Sequence, residues 1–127
     1  MNVSVIIPTL NEASVIEGAI ASARAFGGAT NEVIVVDGGS EDQTVELARE
    51  SGANQVLTAP RGRALQQNAG ARVAHGDVLI FLHADCRLPP DGNAEIREMF
   101  RSHAVVGAFF RQRIDSWNPS YRLLELG

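Results

Sequence analysis

Gly76-Asp77-Val78-Leu79-Ile80-Phe81-Leu82-His83-Ala84-Asp85 is the segment of the sequence that says most about the fold. Its apolar run, residues 78–82, is too short to span a membrane and too continuous for a strand with one wet face. The run predicts a strand covered on both faces, as in a parallel sheet. An imidazole and a carboxylate, His83 and Asp85, follow at the carboxyl end, where open parallel sheets bind their ligands. We therefore expect a ligand site at this strand end.

The bulk composition narrows the class of protein. The chain has 127 residues with 45% hydrophobic and 20% charged side chains, which is typical of one ordinary globular domain. A net charge of −4 argues against nucleic-acid binding, which usually needs a basic face. The single cysteine, Cys86, excludes an internal disulfide. No membrane span or signal peptide is visible, so we expect a cytoplasmic protein.

Strands rich in β-branched residues alternate with amphipathic helices along the chain. The predicted strands are residues 3–7, 33–36, 55–59, 78–82 and 105–110. The predicted helices are about residues 13–26, 40–51, 64–74 and 93–102. We expect Pro8 to end the first strand, because proline cannot donate to the ladder. This alternation predicts βαβ units with right-handed crossovers, and hence an α/β fold with a mainly parallel sheet.

Helix caps and buried faces can also be predicted. Asn11 is the expected cap of the first helix, and Ser40 with Gln43 has capping-box spacing for the second. Apolar residues of the last two helices are expected to face inward: Leu65, Ala69 and Val73, then Ile96, Met99 and Phe100.

The end of the sequence suggests a further element. Residues 121–127 have the pattern of a helix that has just begun, and the sequence ends before that helix could bury its apolar side. We therefore expect residues 1–127 to be one domain of a longer protein.

Polar groups gather at three predicted strand ends, residues 9–12, 37–40 and 83–85. Such ends are often plain turns, so each has a structural alternative. Asp37 could belong to a turn before a helix cap, or it could accept hydrogen bonds from a base or ribose while nearby glycines let the ligand approach. Glu12 could contact a ligand or simply be a first-turn acid favoured by the helix dipole.

Asp85 is the candidate metal ligand. Mg²⁺ and Mn²⁺ bind one or two carboxylates together with substrate phosphate oxygens, so one protein carboxylate is enough beside a diphosphate. The alternative is a solvated turn aspartate. His83 could be a second ligand, a donor to phosphate or a spacer, and Cys86 is expected to be a small buried filler.

A basic loop precedes the third helix. Arg61 and Arg63 flank Gly62, and guanidinium groups at a helix N-terminus suit phosphate oxygens. The loop could instead be merely solvated. Asn68, on the following helix, could brace the loop or lie on the surface.

Missing motifs exclude several classes of protein. The loop after the first strand, residues 8–12, lacks the glycines of a dinucleotide-binding fingerprint, and the sequence has no P-loop. No G-x-S-x-G elbow is present for acyl transfer. One cysteine and three scattered histidines argue against a zinc site.

Four segments in order resemble the family 2 glycosyltransferases: residues 3–12, 35–40, 63–71 and 76–85. The triplet His83-Ala84-Asp85 resembles more narrowly the bacterial branch described as radical-SAM/selenodomain-associated. The resemblance implies a GT-A fold, which is a Rossmann-like three-layer α/β/α arrangement. It also implies a nucleotide-diphosphate sugar donor, a divalent metal (Mg²⁺ or Mn²⁺) and inversion at the anomeric carbon.

The resemblance also implies a set of nucleotide-sugar-binding residues: Pro8, Thr9, Glu12, Asp37, Gly38, Ser40, Arg63, His83, Ala84 and Asp85. Thr9 and Glu12 would lie beside the nucleoside, and Asp37 would bind the base or ribose. Arg63 would meet the nucleotide end of the donor, and Asp85 would hold the metal. His83 replaces the first acid of the family's usual Asp-x-Asp triplet, which bears on metal affinity.

The acceptor and the catalytic base are not assigned. The family carries an acceptor-binding half beyond this point, and Asp115 matches no base motif. Two functions other than glycosyl transfer are also compatible with these residues. One is a nucleotidyltransferase on a related fold, and the other is a non-catalytic nucleotide-binding domain.

Overall fold

The structure of the protein, a computed structural model, describes residues 2–27, 31–90 and 92–99. Its elements in chain order are β1 Val3–Thr9, α1 Ile16–Gly27, β2 Glu32–Asp37, α2 Thr44–Glu50, β3 Gln55–Thr58, α3 Arg63–Val73, β4 Val78–Phe81 and α4 Gly92–Met99. This strict alternation confirms the α/β prediction. The predicted strand at 105–110 and the helix beginning at 121 lie outside the described residues.

The described sheet is entirely parallel and has the strand order β3-β2-β1-β4. The chain moves outward from β1 to β2 and β3, then crosses to the other side of β1 to form β4. The direction of winding therefore reverses between β1 and β4, which makes this a topological switch point. Ligands of open α/β sheets bind outside the carboxyl ends of the strands at such a point.

Helices cover both faces of the sheet. On one face Val3, Val5 and Ile7 of β1 join a core with side chains from α1, α2 and α4. On the other face Ile6 joins Ile34 and Val36 beneath α3. The alternation along β1 is the period of two expected of a strand buried on both sides. The arrangement confirms the predicted three-layer α/β/α architecture.

Pro8 does not end β1, contrary to the prediction, because the strand continues through Pro8 to Thr9. The backbone of Thr9 faces β2, since its carbonyl accepts from Gly38 N, so the backbone of Pro8 faces the β4 side. Pairing with β4 reaches only Ile6. The missing N–H of proline therefore breaks no ladder bond.

Within the described part of the chain β4 is covered on one face only, so the prediction of a strand covered on both faces is not confirmed there. Among the described strands β4 lies at the edge of the sheet. Val78 is buried, but Leu79 and Phe81 on the opposite face are 38% and 46% exposed. The reason is that α3 packs over β1 and β2 and does not cover this face of β4.

The inward face of α3 differs from the prediction at one position. Leu65 is 53% exposed, whereas Gln66 and Gly70 are buried. A Cβ at position 70 would lie 2.5 Å from Cγ2 of Ile6, so glycine here lets the helix approach the sheet closely. Ala69 and Val73 pack against the sheet as predicted.

The two predicted N-caps are also wrong. Helix α1 begins at Ile16, and α2 begins after Gln43, which makes no side-chain capping bond. The side chains of Asn11 and Ser40 bond elsewhere, to Glu41 N and to the Asp37 carboxylate. Both side chains tie strand-end loops together, and they are therefore not available to cap helices.

At the end of the described chain, Ile96 of α4 is buried as predicted, while Phe100 and the side chain of Met99 lie outside the description. Among the helices of residues 2–27, 31–90 and 92–99, none has the length and apolar character that crossing a bilayer requires.

Candidate functional site

Asp37 is the buried carboxylate at the end of β2, with 1% of its surface exposed. Its Oδ1 accepts hydrogen bonds from the hydroxyls of Thr9 at 2.7 Å and Ser40 at 2.6 Å. Its Oδ2 accepts from the backbone N–H of Gly39 at 3.0 Å and of Ser40 at 2.7 Å. Burial by itself raises the pKa of Asp37, but these four hydrogen bonds outweigh it and hold the pKa below the ordinary value. Asp37 is therefore an ionised residue that shapes the loop after β2.

Hydrogen bonds join the loop after β1 (residues 10–15) to the loop after β2 (residues 38–43), and the surface that the two loops form together is called the ledge below. Asn11, whose φ is +54°, donates its N–H to the Ser40 hydroxyl at 2.8 Å and accepts from Glu41 N at 2.9 Å. The N–H of Glu12 donates to the Thr44 hydroxyl at 2.8 Å. The positive φ suits asparagine, which is enriched in this region among non-glycine residues. The candidate residues of both loops consequently keep a fixed relation to one another.

Gln66 was missed by the sequence analysis and connects three segments of the site. Its Nε2 donates to the carbonyls of Thr9 and Val36, both at 2.9 Å, and its Oε1 accepts from Gly62 N at 3.1 Å. Helical spacing is the feature of the sequence that could have predicted its burial, because positions 66, 69, 70 and 73 share one face of α3. A polar residue on a face otherwise made of small apolar residues indicates a buried hydrogen-bonding role.

A second group of titratable side chains lies in the loops after β1 and β4 and at the start of α3. Burial first, and then the charges of Asp85 and Asp42, raise the pKa of Glu12. Burial first, and then Arg63, lower the pKa of His83, and Asp85 partly opposes them. The charge of Asp85 thus acts on Glu12 in the β1 loop and on His83 in its own loop, and the charge of Arg63 at the start of α3 acts on His83.

The loop after β4 directs different residues inward and outward. Ala84 and Cys86 are buried, whereas Asp85 between them is exposed. The Cys86 thiol donates to Oδ1 of Asp85 at 3.4 Å, and burial together with this contact raises the thiol pKa to about 11. Cys86 is thus the buried filler that was predicted. Any contact of Ala84 with a ligand would use its backbone.

The basic loop is solvent-exposed at the same edge. Arg61 and Arg63 are both exposed, and Arg63 begins α3 directly after Gly62, whose φ is +147°. Asn68 is exposed further along α3, as expected of the surface alternative.

The donor set fits a hard divalent cation that shares its coordination with phosphate. Within the described ranges no three His, Cys, Asp or Glu side chains form a ready metal cluster. Burial, and after it the charge of Asp85, raise the pKa of the Glu12 carboxyl, and a cation would relieve the repulsion between the two carboxylates. One or two carboxylates are what Mg²⁺ and Mn²⁺ typically take from a protein, with phosphates supplying further ligands.

The family model described as Glycosyl transferase family 2 matches residues 4–125. The chain belongs to glycosyltransferase family 2.

Curated family 2 relatives are longer than this chain. A dolichol-phosphate mannosyltransferase of Pyrococcus furiosus is 31% identical over 134 residues, covering 98% of this chain and 38% of the relative. An undecaprenyl-phosphate 4-deoxy-4-formamido-L-arabinose transferase of Aeromonas hydrophila is 32% identical over 126 residues, covering 91% and 39%. The chain therefore spans less than two-fifths of the length of these relatives.

Solved structures agree on the fold. S. aureus TarS 1–349 superposes with a TM-score of 0.72 at 24% identity, covering 82% of this chain and 33% of TarS. Glucosyl-3-phosphoglycerate synthase from Mycobacterium tuberculosis, crystallised with Mn²⁺, UDP and glucosyl-3-phosphoglycerate, superposes with a TM-score of 0.61 at 30% identity. That match covers 69% of this chain and 35% of the synthase. The expected GT-A fold is confirmed.

Proposed function

We propose that this chain is the donor-binding part of a glycosyltransferase that transfers a sugar from a nucleoside diphosphate to an acceptor hydroxyl, assisted by Mg²⁺ or Mn²⁺. One observation carries the proposal. The carboxyl ends of β1, β2 and β4 lie at one edge of the parallel sheet, at the topological switch point, and the loops there carry the hydrogen-bonded Asp37 and the exposed Asp85. Membership of family 2 and the likeness to a UDP- and Mn²⁺-bound synthase support it.

The nucleoside would lie against the ledge formed by the β1 and β2 loops. Thr9 and Asp37 are joined there by a hydrogen bond, and the exposed Gly39 has open space where a side chain would otherwise stand. Gly38 is buried against the Gln66 amide, so any contact of Gly38 with the nucleoside stays a prediction. Pro8 and Ser40 shape the same surface, since Pro8 belongs to β1 and Ser40 holds the Asp37 carboxylate.

The diphosphate would lie towards the β4 loop. The guanidinium of Arg63 and the N-terminus of α3 favour phosphate oxygens there. His83 is held towards its neutral form by burial and by Arg63, so it suits a hydrogen bond to phosphate better than a second positive charge. Asp85 would hold the cation, with Glu12 as the nearby second carboxylate.

The reaction breaks the bond between the anomeric carbon and the diphosphate oxygen and forms a bond to the acceptor oxygen with inversion. A bound cation supplies charge neutralisation for the departing diphosphate. Arg63 and the α3 N-terminus stabilise the same developing charge. The base that takes the proton of the acceptor is not assigned, and Asp115 lies outside the described residues.

Two narrower expectations belong to this proposal. The His-Ala-Asp triplet favours the radical-SAM/selenodomain-associated branch, and the cytoplasmic location predicted from the sequence stays a prediction.

Thermal stability tests the proposal directly. We expect one of UDP, GDP, ADP, CDP or TDP to stabilise the protein, and to stabilise it more with Mn²⁺. A ligand at 100 times its dissociation constant adds about 2.7 kcal/mol. Asp85→Asn should abolish the Mn²⁺-dependent part and keep the metal-free part. Asp77→Asn is a matched control, because Asp77 lies at the opposite end of β4 and bonds Asn2 N.

The product of the reaction separates the alternatives. The proposal requires release of a nucleoside diphosphate when donor, metal and acceptor are combined. Release of pyrophosphate would show a nucleotidyltransferase instead. If no nucleoside diphosphate stabilises the protein, or if Asp85→Asn responds to Mn²⁺ like wild type, the proposal fails.

A further inference from the structure

The side chain of Gln66 stands between the two halves of the proposed donor site. Its amide nitrogen donates to the carbonyls of Thr9, the last residue of β1, and of Val36, the penultimate residue of β2. Its amide oxygen accepts from the N–H of Gly62, one residue before Arg63. We infer that Gln66 is a positioning residue that holds the nucleoside ledge and the phosphate-binding turn in one relation. This inference rests on the proposed function.

Both the nitrogen and the oxygen of the Gln66 amide are engaged in hydrogen bonds. A glutamine amide has two N–H donors and a carbonyl acceptor, and here both donors and the acceptor have backbone partners. The side chain is only 5% exposed, so water cannot readily replace a lost partner. A glutamate would lack the two donors, and an asparagine is one methylene shorter. The position therefore selects for the length and the polarity of glutamine.

The turn after β2 is built to admit this side chain. A Cβ at Gly38 would lie 2.8 Å from Oε1 and 3.0 Å from the amide carbon of Gln66. Such a distance is shorter than ordinary contact, so the turn carrying Asp37 and Gly39 rests against the amide only because residue 38 has no side chain. Gln66 thus contacts the β2 loop as well as bonding the ends of both strands.

A purely structural role and a positioning role have different consequences. A residue that only stabilises the fold lowers the melting temperature when removed, but the folded molecules bind nucleotide as before. A positioning residue alters the affinity of folded molecules. It also makes the effects of residues on either side non-additive, since contacts in one network couple.

The binding test is a double-mutant cycle between Gln66 and Arg63. UDP binding with Mn²⁺ is measured by calorimetry, well below the melting temperature, for wild type, Gln66→Met, Arg63→Ala and the double variant. Methionine is neutral and close in size, so it removes the hydrogen bonds without adding charge. We expect Gln66→Met to weaken UDP binding about tenfold, equivalent to about 1.4 kcal/mol. Arg63→Ala should then cost a smaller fold-loss in the Gln66→Met background than in wild type.

Gln67→Met is the matched control, since it makes the same substitution one position further along α3. The side chain of Gln67 makes no hydrogen bond to the described residues. Gln67→Met should leave UDP affinity unchanged. If Gln66→Met does not fold, Gln66→Asn keeps a buried amide and should show the same loss in weaker form. Additive effects in the cycle, or unchanged UDP affinity in folded Gln66→Met, would overturn the inference.

A second readout does not depend on any ligand. Hydrogen exchange of the Gly62 amide should accelerate in Gln66→Met and not in Gln67→Met, because Gly62 N loses its acceptor. Unchanged exchange would overturn the coupling of α3 to the turn. If wild type binds no nucleoside diphosphate, the proposed function fails, and the binding role of Gln66 fails with it. Faster exchange of Gly62 would still support the coupling.

Discussion

Thr9 and Asp37 are register partners at the carboxyl ends of β1 and β2, and the Thr9 hydroxyl donates a 2.7 Å hydrogen bond to the Asp37 carboxylate. The bond lies where the regular ladder ends, so it extends the pairing of the two strands by side chains. It also fixes an ionised oxygen at the bottom of the proposed nucleoside site. Stability and binding are therefore linked at this pair.

Asp37→Asn should reduce stability in a pH-dependent way. The pKa of Asp37 is lower in the folded protein than its ordinary value of 3.8, so its contribution to stability is present above about pH 4 and is lost as the pH falls through the folded value. The variant should unfold more easily than wild type at pH 7, and the difference should shrink in acid. Urea unfolding between pH 7 and pH 3 measures this.

Glu32→Gln is the comparison for that experiment, because Glu32 lies at the other end of β2. Its carboxylate accepts from the Ser4 hydroxyl at 2.6 Å and from His75 N at 2.9 Å, and its pKa is lowered despite burial. It should also lose stability, but UDP affinity should fall only in Asp37→Asn. Equal loss of affinity in both variants would contradict the placement of the site.

His83 should titrate below the ordinary histidine value of 6.5, because burial and the charge of Arg63 disfavour its protonated form. Since the unfolded chain binds this proton more readily, stability should fall as the pH drops below about 6.5 towards the folded value. Arg63→Ala should move the His83 pKa upward, and Asp85→Asn should move it downward. NMR titration of the imidazole measures both shifts. A shift in the same direction for both variants would contradict the arrangement.

Gly70→Ala should destabilise the fold even though alanine favours helix. The added Cβ would meet Cγ2 of Ile6 at 2.5 Å and Cγ2 of Val36 at 3.1 Å. Overpacking of this kind costs about 1–3 kcal/mol, against a gain of about 1 kcal/mol in helix propensity. Asn68→Ala on the exposed side of α3 should be neutral or stabilising in the same denaturation experiment. If Gly70→Ala were more stable than wild type, α3 would not be in close contact with the sheet at residue 70.

The Cys86 thiol should react slowly with alkylating reagents near pH 8 in the folded protein. It is a buried free thiol whose pKa is raised to about 11, so little thiolate is present. Reaction should become fast in denaturant, which serves as the internal control. Rapid modification of the native protein would contradict the packing of the β4 loop.

The periodicity of the sequence was enough to predict the alternating strands and helices. Apolar runs rich in β-branched residues predict β1 and β2, because residues that favour strands are also the ones that are buried there. The strand extending through Pro8 could not be predicted, since tolerance of proline depends on where β4 stops pairing. The exposure of Leu79 and Phe81 likewise depends on which strands α3 covers, and this is a property of the packed layers.

Period, composition and motif spacing are enough to predict the α/β class, the order of the strand ends and the types of side chain found there. The hydrogen-bond partners of those side chains become visible only in the folded structure. Ser40 bonds Asp37 and does not cap α2, and Gln66 displaces Leu65 from the inward face of α3. The physical reason is that a buried hydrogen bond requires a partner at a definite distance and angle. Segments far apart in the chain supply that partner only after the layers have packed.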